Sequence, residues 1–217
     1  MEVEMKAKIT VQQANDLIES NLLKGTGWYI SRGGGWNAFY KKDSYFQHKD
    51  KNRPHKYMIR VRSEGDVAVT ESFNNIITGN IYTGLDPNER VYLTSKVKNV
   101  DENGVENNEE YEGELIGSAA TAFVNAMEEA DMDMYFEKMK ISVSFYCMDE
   151  DNHELHCEIV NVNGHGPYLE IEAFVNEFGP DCTDYSTSKE AETVIKDFFN
   201  KLHITEFDKR SWKEIIN

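Results

Sequence analysis

Charged and apolar side chains alternate without a break through Glu2-Val3-Glu4-Met5-Lys6-Ala7-Lys8. That is the two-residue period of a β-strand, not the 3.6-residue period of a helix. One face of such a strand carries two carboxylates and two ammonium groups within roughly 13 Å at the usual strand rise. The same charge-x-charge spacing returns at Arg60/Arg62, Lys96/Lys98, Glu110/Glu112, Lys138/Lys140 and Glu170/Glu172, with apolar or aromatic residues between. Strands are predicted around these pairs at 57–62, 91–98, 110–114, 138–146, 155–162 and 168–174. A further strand begins at Asp43-Ser44-Tyr45-Phe46, inside a stretch (28–56) that otherwise reads as irregular and aromatic. Residues 66–83, rich in Val, Ile and Thr, read as more β structure. Asn103-Gly104 and the acidic run 149–152 mark hairpin turns, and Gly164-His165-Gly166-Pro167 another turn. Helical spacing predicts helices at 11–23 (capped by Thr10, ended by Gly25 and Gly27), 116–129 and 188–202, followed by a tail at 208–216.

From the pattern alone, two readings of the alternation stay open. Any antiparallel sheet shows charge on its wet side. Alternatively, the sheet turns its apolar face outward against the helices and closes around a polar lumen of both signs. The second reading predicts an α+β, mainly β fold: a closed antiparallel eight-stranded β-barrel (a tunnel) with helices packed outside. Lumen carboxylates would suit Mg²⁺ or Mn²⁺, hard ions that prefer oxygen ligands, and lumen Arg and Lys would suit phosphoryl oxygens.

With 217 residues, 40% hydrophobic and 12% aromatic, the chain has the size and composition of one globular domain spanning 1–217. A net charge of −16 argues against extended nucleic acid or an anionic membrane surface as a partner, while 23 Lys and Arg remain to line a local site. Three cysteines, Cys147, Cys157 and Cys182, are expected as free thiols in a reducing compartment. No apolar signal region or membrane span is legible, so a cytoplasmic location is expected. The six histidines show no metal-ligand spacing: His153 and His156 flank a turn, and His165 sits between glycines. Gly33-Gly34-Gly35 lacks the Lys-Ser/Thr of a phosphate loop and reads as a hairpin or lid.

Glu2-Val3-Glu4-Met5-Lys6 resembles the ExExK signature of the CYTH superfamily, the triphosphate tunnel metalloenzymes. Further matches follow in the family's order. Asp43-Ser44-Tyr45-Phe46 resembles its D-x-Y-F segment, Arg60-Val61-Arg62 its R-x-R strand, and Lys96 with Glu110-Tyr111-Glu112 its K…E-x-E hairpin. Tyr168-Leu169-Glu170-Ile171-Glu172 resembles its F-x-E-I-E strand, and Ser211-Trp212-Lys213-Glu214-Ile215 its S-Y-x-E-L-L tail. The resemblance covers the chain end to end and is nearest the class IV adenylate cyclase or thiamine-triphosphatase-like branch.

The resemblance implies Glu2, Glu4 and Glu172 as ligands of Mg²⁺ or Mn²⁺. It implies Lys6, Arg60, Arg62, Lys96, Lys138 and Lys140 as phosphate contacts, and Glu170 with Lys6 as the catalytic groups. The chain departs from the family where Lys138-Met139-Lys140 replaces K-x-R, and where Asn108 precedes E-x-E in place of a basic residue. Glu158 is the nearest match for an aspartate upstream of F-x-E-I-E. The expected partner is a small triphosphate, nucleoside or thiamine triphosphate or tripolyphosphate, and a homodimer stays open. Hydrolysis is the first expected reaction, with Glu170 positioning water. Cyclisation of ATP with loss of pyrophosphate is the alternative and needs a base pocket, for which Tyr45, Phe46, Trp28 and Trp36 are candidates or else core. A nucleotide or polyphosphate receptor without turnover is a third reading, and an acidic β-barrel interaction protein without ligand a fourth.

Overall fold

The structure is a computed structural model that describes residues 2–31, 35–50, 52, 57–80, 90–100, 105–175 and 185–217, with backbone alone at 98–100 and 106–108. Its strands are β1 (Glu2–Lys8), β2 (Tyr29–Ile30), β3 (Asn37–His48), β4 (Met58–Asp66), β5 (Arg90–Val100), β6 (Glu106–Glu114), β7 (Met132–Met148), β8 (Glu154–Val162) and β9 (His165–Phe174). Its helices are α1 (Val11–Ile18), α2 (Val69–Thr78), α3 (Ala119–Glu129), α4 (Ser188–Lys201) and α5 (Trp212–Ile216). The readings on Gly33 and Gly34, the Asn103-Gly104 turn, the side chains of Lys98 and Asn108, and Cys182 lie outside the described residues.

All pairings between the strands are antiparallel. From β7 the neighbours run β3, β4, β5, β6, β1, β9 and β8, and β8 pairs back onto β7, while the short β2 lies against the end of β7. The ring is uneven. β3 and β7 share twelve register pairs, but among the described residues β1 meets β6 at Glu2, Val3 and Glu4 alone. Further along β1, the Asp208 N–H donates to the Lys6 carbonyl at 2.9 Å, so the C-terminal tail bonds to the backbone of this strand. The expected eight-stranded antiparallel sheet is there, with the fully closed tunnel corrected to a strongly curled, half-closed sheet whose sparsest seam among the described residues is β1 on β6.

The apolar face does turn outward onto the helices. Val3, Met5 and Ala7 of β1, Val143 and Phe145 of β7, and Leu169, Ile171 and Ala173 of β9 form one core with Leu17 of α1, Ile76 of α2 and Ile195, Phe198 and Phe199 of α4. Cys147 and Cys157 are buried free thiols in that core. Trp28 and Trp36 belong to the same apolar layer, against Phe198 and Phe145 respectively.

Two stretches differ from the sequence reading. Residues 69–78, expected as β, form α2, because Val69, Phe73 and Ile76 recur at helical spacing and that face, with Ser72, meets the core. Their β-branched content carries less weight than the period. Gly79, at φ +73°, ends the helix in the left-handed conformation that suits glycine. Within 28–56, β3 begins at Asn37, six residues before the predicted start. Aromatics on both of its faces (Phe39 and Tyr45 on one, Tyr40 and Phe46 on the other) hide the alternation.

Candidate functional site

Antiparallel register lines up side chains of one face across several strands, about 5 Å apart. On one wall a first row runs Tyr146 (β7), His156 (β8), Glu172 (β9), Glu4 (β1). A second runs Ser144, Glu158, Glu170, Lys6. A third runs Ser142, Val160, Tyr168, Lys8, and here the lumen turns apolar. Val160, Val162 and Tyr168 pack with Trp212 and Ile215 of α5 as a separate cluster that forms a floor. The opposite wall carries Tyr45 (β3), Arg60 (β4), Thr94 (β5) and Glu112 (β6) in one row, and Met58, Lys96 and Glu110 in the next.

These walls enclose a cavity of about 190 Å³. Glu2, Glu4, Arg60, Arg62, Lys96, Lys138, Lys140, Glu170 and Glu172 all line it. Lys6 shares their face but lies at floor level: it is buried, with Nζ 5.9 Å from the centre of the Trp212 ring, and it does not line the cavity.

One carboxylate oxygen from each of Glu2, Glu4 and Glu172 lies within 4.8 Å of the other two. Burial, and then the charge of Glu172, push the Glu2 carboxyl well above the usual range. Burial also disfavours the charge on Glu172, but a hydrogen bond from His156, Nδ1 to Oε2 at 2.8 Å, together with the charges of His156 and Lys140, holds that carboxyl below the usual value. A half-buried trio of carboxylates, all hard oxygen donors, fits a divalent cation of the Mg²⁺ or Mn²⁺ kind.

Across the cavity the cations are tethered rather than free. Asp43, wholly buried, accepts both Arg62 Nε (2.7 Å) and a terminal Arg62 nitrogen (3.1 Å), with Lys138 at 3.5 Å and Arg60 at 3.9 Å. Burial opposes its ionisation, yet Arg62 and Lys138 hold it well below the usual carboxylate range. Arg60 donates to Glu110 (2.6 Å), Glu112 (3.0 Å) and Thr94 (2.9 Å). Lys96 lies 3.1 Å from Glu110; burial works against its charge, but Glu2, Glu4 and Glu110 raise it above the ordinary lysine value.

At the floor, Lys140 donates to Glu158 and, at 2.5 Å, to Glu170, while Lys41 reaches Glu158 at 3.1 Å. The Trp212 indole N–H donates to the other Glu170 oxygen at 2.6 Å. Among the described residues, seven carboxylates and six Lys or Arg side chains line the cavity, a near balance of charge.

Sequence reasoning missed several of these groups. Lys41 stands two residues before Asp43 on the same face, a charge-x-charge signal that falls ahead of a strand predicted to begin at Asp43. Asp43 and Trp212 are legible in the sequence only as parts of motifs. His156 carries no local signal, because its partner, Glu172, is sixteen residues away. The second grouping of metal-ligand type, Asp149, Asp151 and His153, sits in the β7–β8 turn, where Asp149 accepts backbone N–H groups of Asp151 and His153.

No family model matches the chain, and no curated protein matches it. Solved structures do. The PH1819 protein of Pyrococcus horikoshii aligns over 100% of this chain and 98% of its own, at 18% identity and a TM-score of 0.67. A protein of Vibrio parahaemolyticus described as an adenylate cyclase candidate aligns over 99% and 97%, at 12% identity and 0.59. HpAC1 from Hippeastrum, described as a proposed adenylyl cyclase with a dominant triphosphatase activity, aligns over 100% and 95%, at 14% identity and 0.55. At such identities the shared property is the fold. The chain shares the fold of these solved structures along nearly its whole length.

Proposed function

We propose that this chain binds a small triphosphate together with Mg²⁺ or Mn²⁺ inside the curled sheet and hydrolyses it. The observation that carries this reading is one cavity with two faces: the Glu2, Glu4 and Glu172 oxygens on one side, and Arg60, Arg62, Lys96 and Lys138 on the other. Among the described residues the lumen has slightly more acids than bases, a setting that favours a polyanion arriving with positive charge. A divalent ion bound by the three glutamates would supply that charge and polarise phosphoryl oxygens.

The chain's own residues do the rest. Arg62 is oriented by Asp43, and Lys138 is held beside it, so these cations meet phosphate already placed. The guanidinium of Arg60 exchanges part of its contact with Glu110 and Glu112 for phosphoryl oxygens, a fork geometry that suits both partners. Glu170 is fixed by Lys140 and Trp212 on separate oxygens. A carboxylate offers about four acceptor sites, so it keeps capacity to take a hydrogen bond from an attacking water. Lys6 acts from the floor through its charge.

Hydrolysis is preferred to cyclisation because Trp28 and Trp36, two of the four aromatics considered for a base pocket, are core residues. The reported triphosphatase activity of HpAC1 points the same way. The test is release of phosphate from tripolyphosphate, ATP and thiamine triphosphate with Mg²⁺ or Mn²⁺. Metal-dependent release supports the proposal. Cyclic nucleotide with pyrophosphate selects the cyclase, and binding without release selects the receptor.

A further inference from the structure

His156 stands second in the row Tyr146, His156, Glu172, Glu4, between an aromatic ring and a carboxylate of the acidic trio. Its ring lies 4.9 Å from that of Tyr146, tilted 36°, and its Nδ1 is 2.8 Å from Glu172 Oε2. A carboxylate oxygen only accepts, so Nδ1 carries the hydrogen. Both side chains are largely shielded from solvent, 17% and 19% exposed, so water competes little for this bond.

Glu172 needs such a tether. Two other carboxylates approach it within 4.8 Å, and like charges at that separation push apart strongly when partly buried. A free glutamate would swing away. Resting on the metal-dependent reading above, we infer that His156 is a positioning residue: it fixes the plane of the Glu172 carboxylate so that Glu2, Glu4 and Glu172 converge on one cation, while Tyr146 fixes the imidazole. The arrangement has the logic of an outer partner that orients a ligand, whose loss typically weakens metal binding about 10- to 100-fold.

Calorimetric titration of Mn²⁺ into metal-stripped protein tests this without reference to turnover. The His156→Ala variant is expected to bind Mn²⁺ about 10- to 100-fold more weakly than the wild type. His156→Asn, which offers an amide N–H near the position of Nδ1, is expected to recover most of that loss. Glu4→Gln identifies the lumen component of the signal, since a Mn²⁺ ion held by Asp149, Asp151 and His153 would persist in it.

If the wild type binds in the lumen and His156→Ala binds within twofold of it, this inference is overturned while the metal reading stands. Equally weak binding by folded Ala and Asn variants also overturns it, because the imidazole would then act through packing on Tyr146. If His156→Ala fails to fold, the Asn variant decides: near wild-type affinity supports the tether, and a tenfold loss or more refutes it. Absence of lumen binding in the wild type brings down the metal reading and this inference together.

Discussion

Glu4 and Asp43 are carboxylates on opposite walls of the curled sheet, and their substitutions are expected to leave different signatures. Glu4→Gln keeps the shape and removes a charge from the crowded trio. The fold is expected to persist while Mn²⁺-dependent turnover falls by more than the roughly 100-fold that marks the loss of an outer partner; wild-type rates would refute the assigned role. Asp43→Asn strands Arg62 and Lys138 in a buried setting, and breaking a buried pair in that way costs about 3–5 kcal/mol. Urea denaturation would register this as a lower midpoint, and a stability loss under 1 kcal/mol would show that water reaches those cations. Residue identity was the most legible level of the sequence. Alternation names which side chains share a face, and every metal or phosphate candidate except Lys6 does line the cavity. What alternation cannot say is which strand stands opposite which. The Asp43–Arg62 fork and the His156–Glu172 bond depend on register, and register is decided by long-range pairing.

The tail from Asp208 through α5 shows how much a short element contributes here. It lends backbone to β1 at Lys6, places Trp212 on Glu170, and buries Ile215 against Val160 and Val162. Trp212→Phe keeps an aromatic ring, though a smaller one, but deletes the N–H donor, leaving a buried Glu170 oxygen short of one partner at a cost of about 1–3 kcal/mol. Turnover is expected to fall with it, and an unchanged rate would separate Glu170 orientation from chemistry. The tail also carries a pH signature. Hydrogen bonds from Arg210 chiefly, and from Tyr168, bring the Asp208 carboxyl down to about 2, against about 3.9 for an unfolded chain. Because the folded value is the lower one, this contribution to stability is complete above about pH 4 and is lost as pH falls toward 2. Asp208→Asn is therefore expected to flatten the stability–pH slope in that window, and parallel wild-type and variant curves would refute the pairing. The tail was legible as a motif, and its capping box at Ser211 and Glu214 is a local signal. Its insertion under the lumen was not, since nothing local says which cavity a terminal helix closes.

At the scale of the whole molecule, the balance of charge decides how ligands must bind. A chain of net charge −16, with seven acids and six bases among the described residues that line one cavity, is expected to gain little by taking up a bare triphosphate. On the proposed reading it gains more when a divalent ion first offsets Glu2, Glu4 and Glu172, and by linkage the triphosphate would strengthen the ion's binding by the same factor. Thermal unfolding measured over a grid of Mn²⁺ and tripolyphosphate concentrations is expected to show a joint stabilisation well above the sum of the two alone. At a hundred times the dissociation constant, a single bound ligand stabilises by about 2.7 kcal/mol, ample for such a grid to resolve. Full stabilisation by tripolyphosphate in the presence of a chelator would contradict the coupling. It would mean that Arg60 and Lys96 give up Glu110 without help, and that the carboxylates of β6 are spacers rather than competitors for the same cations.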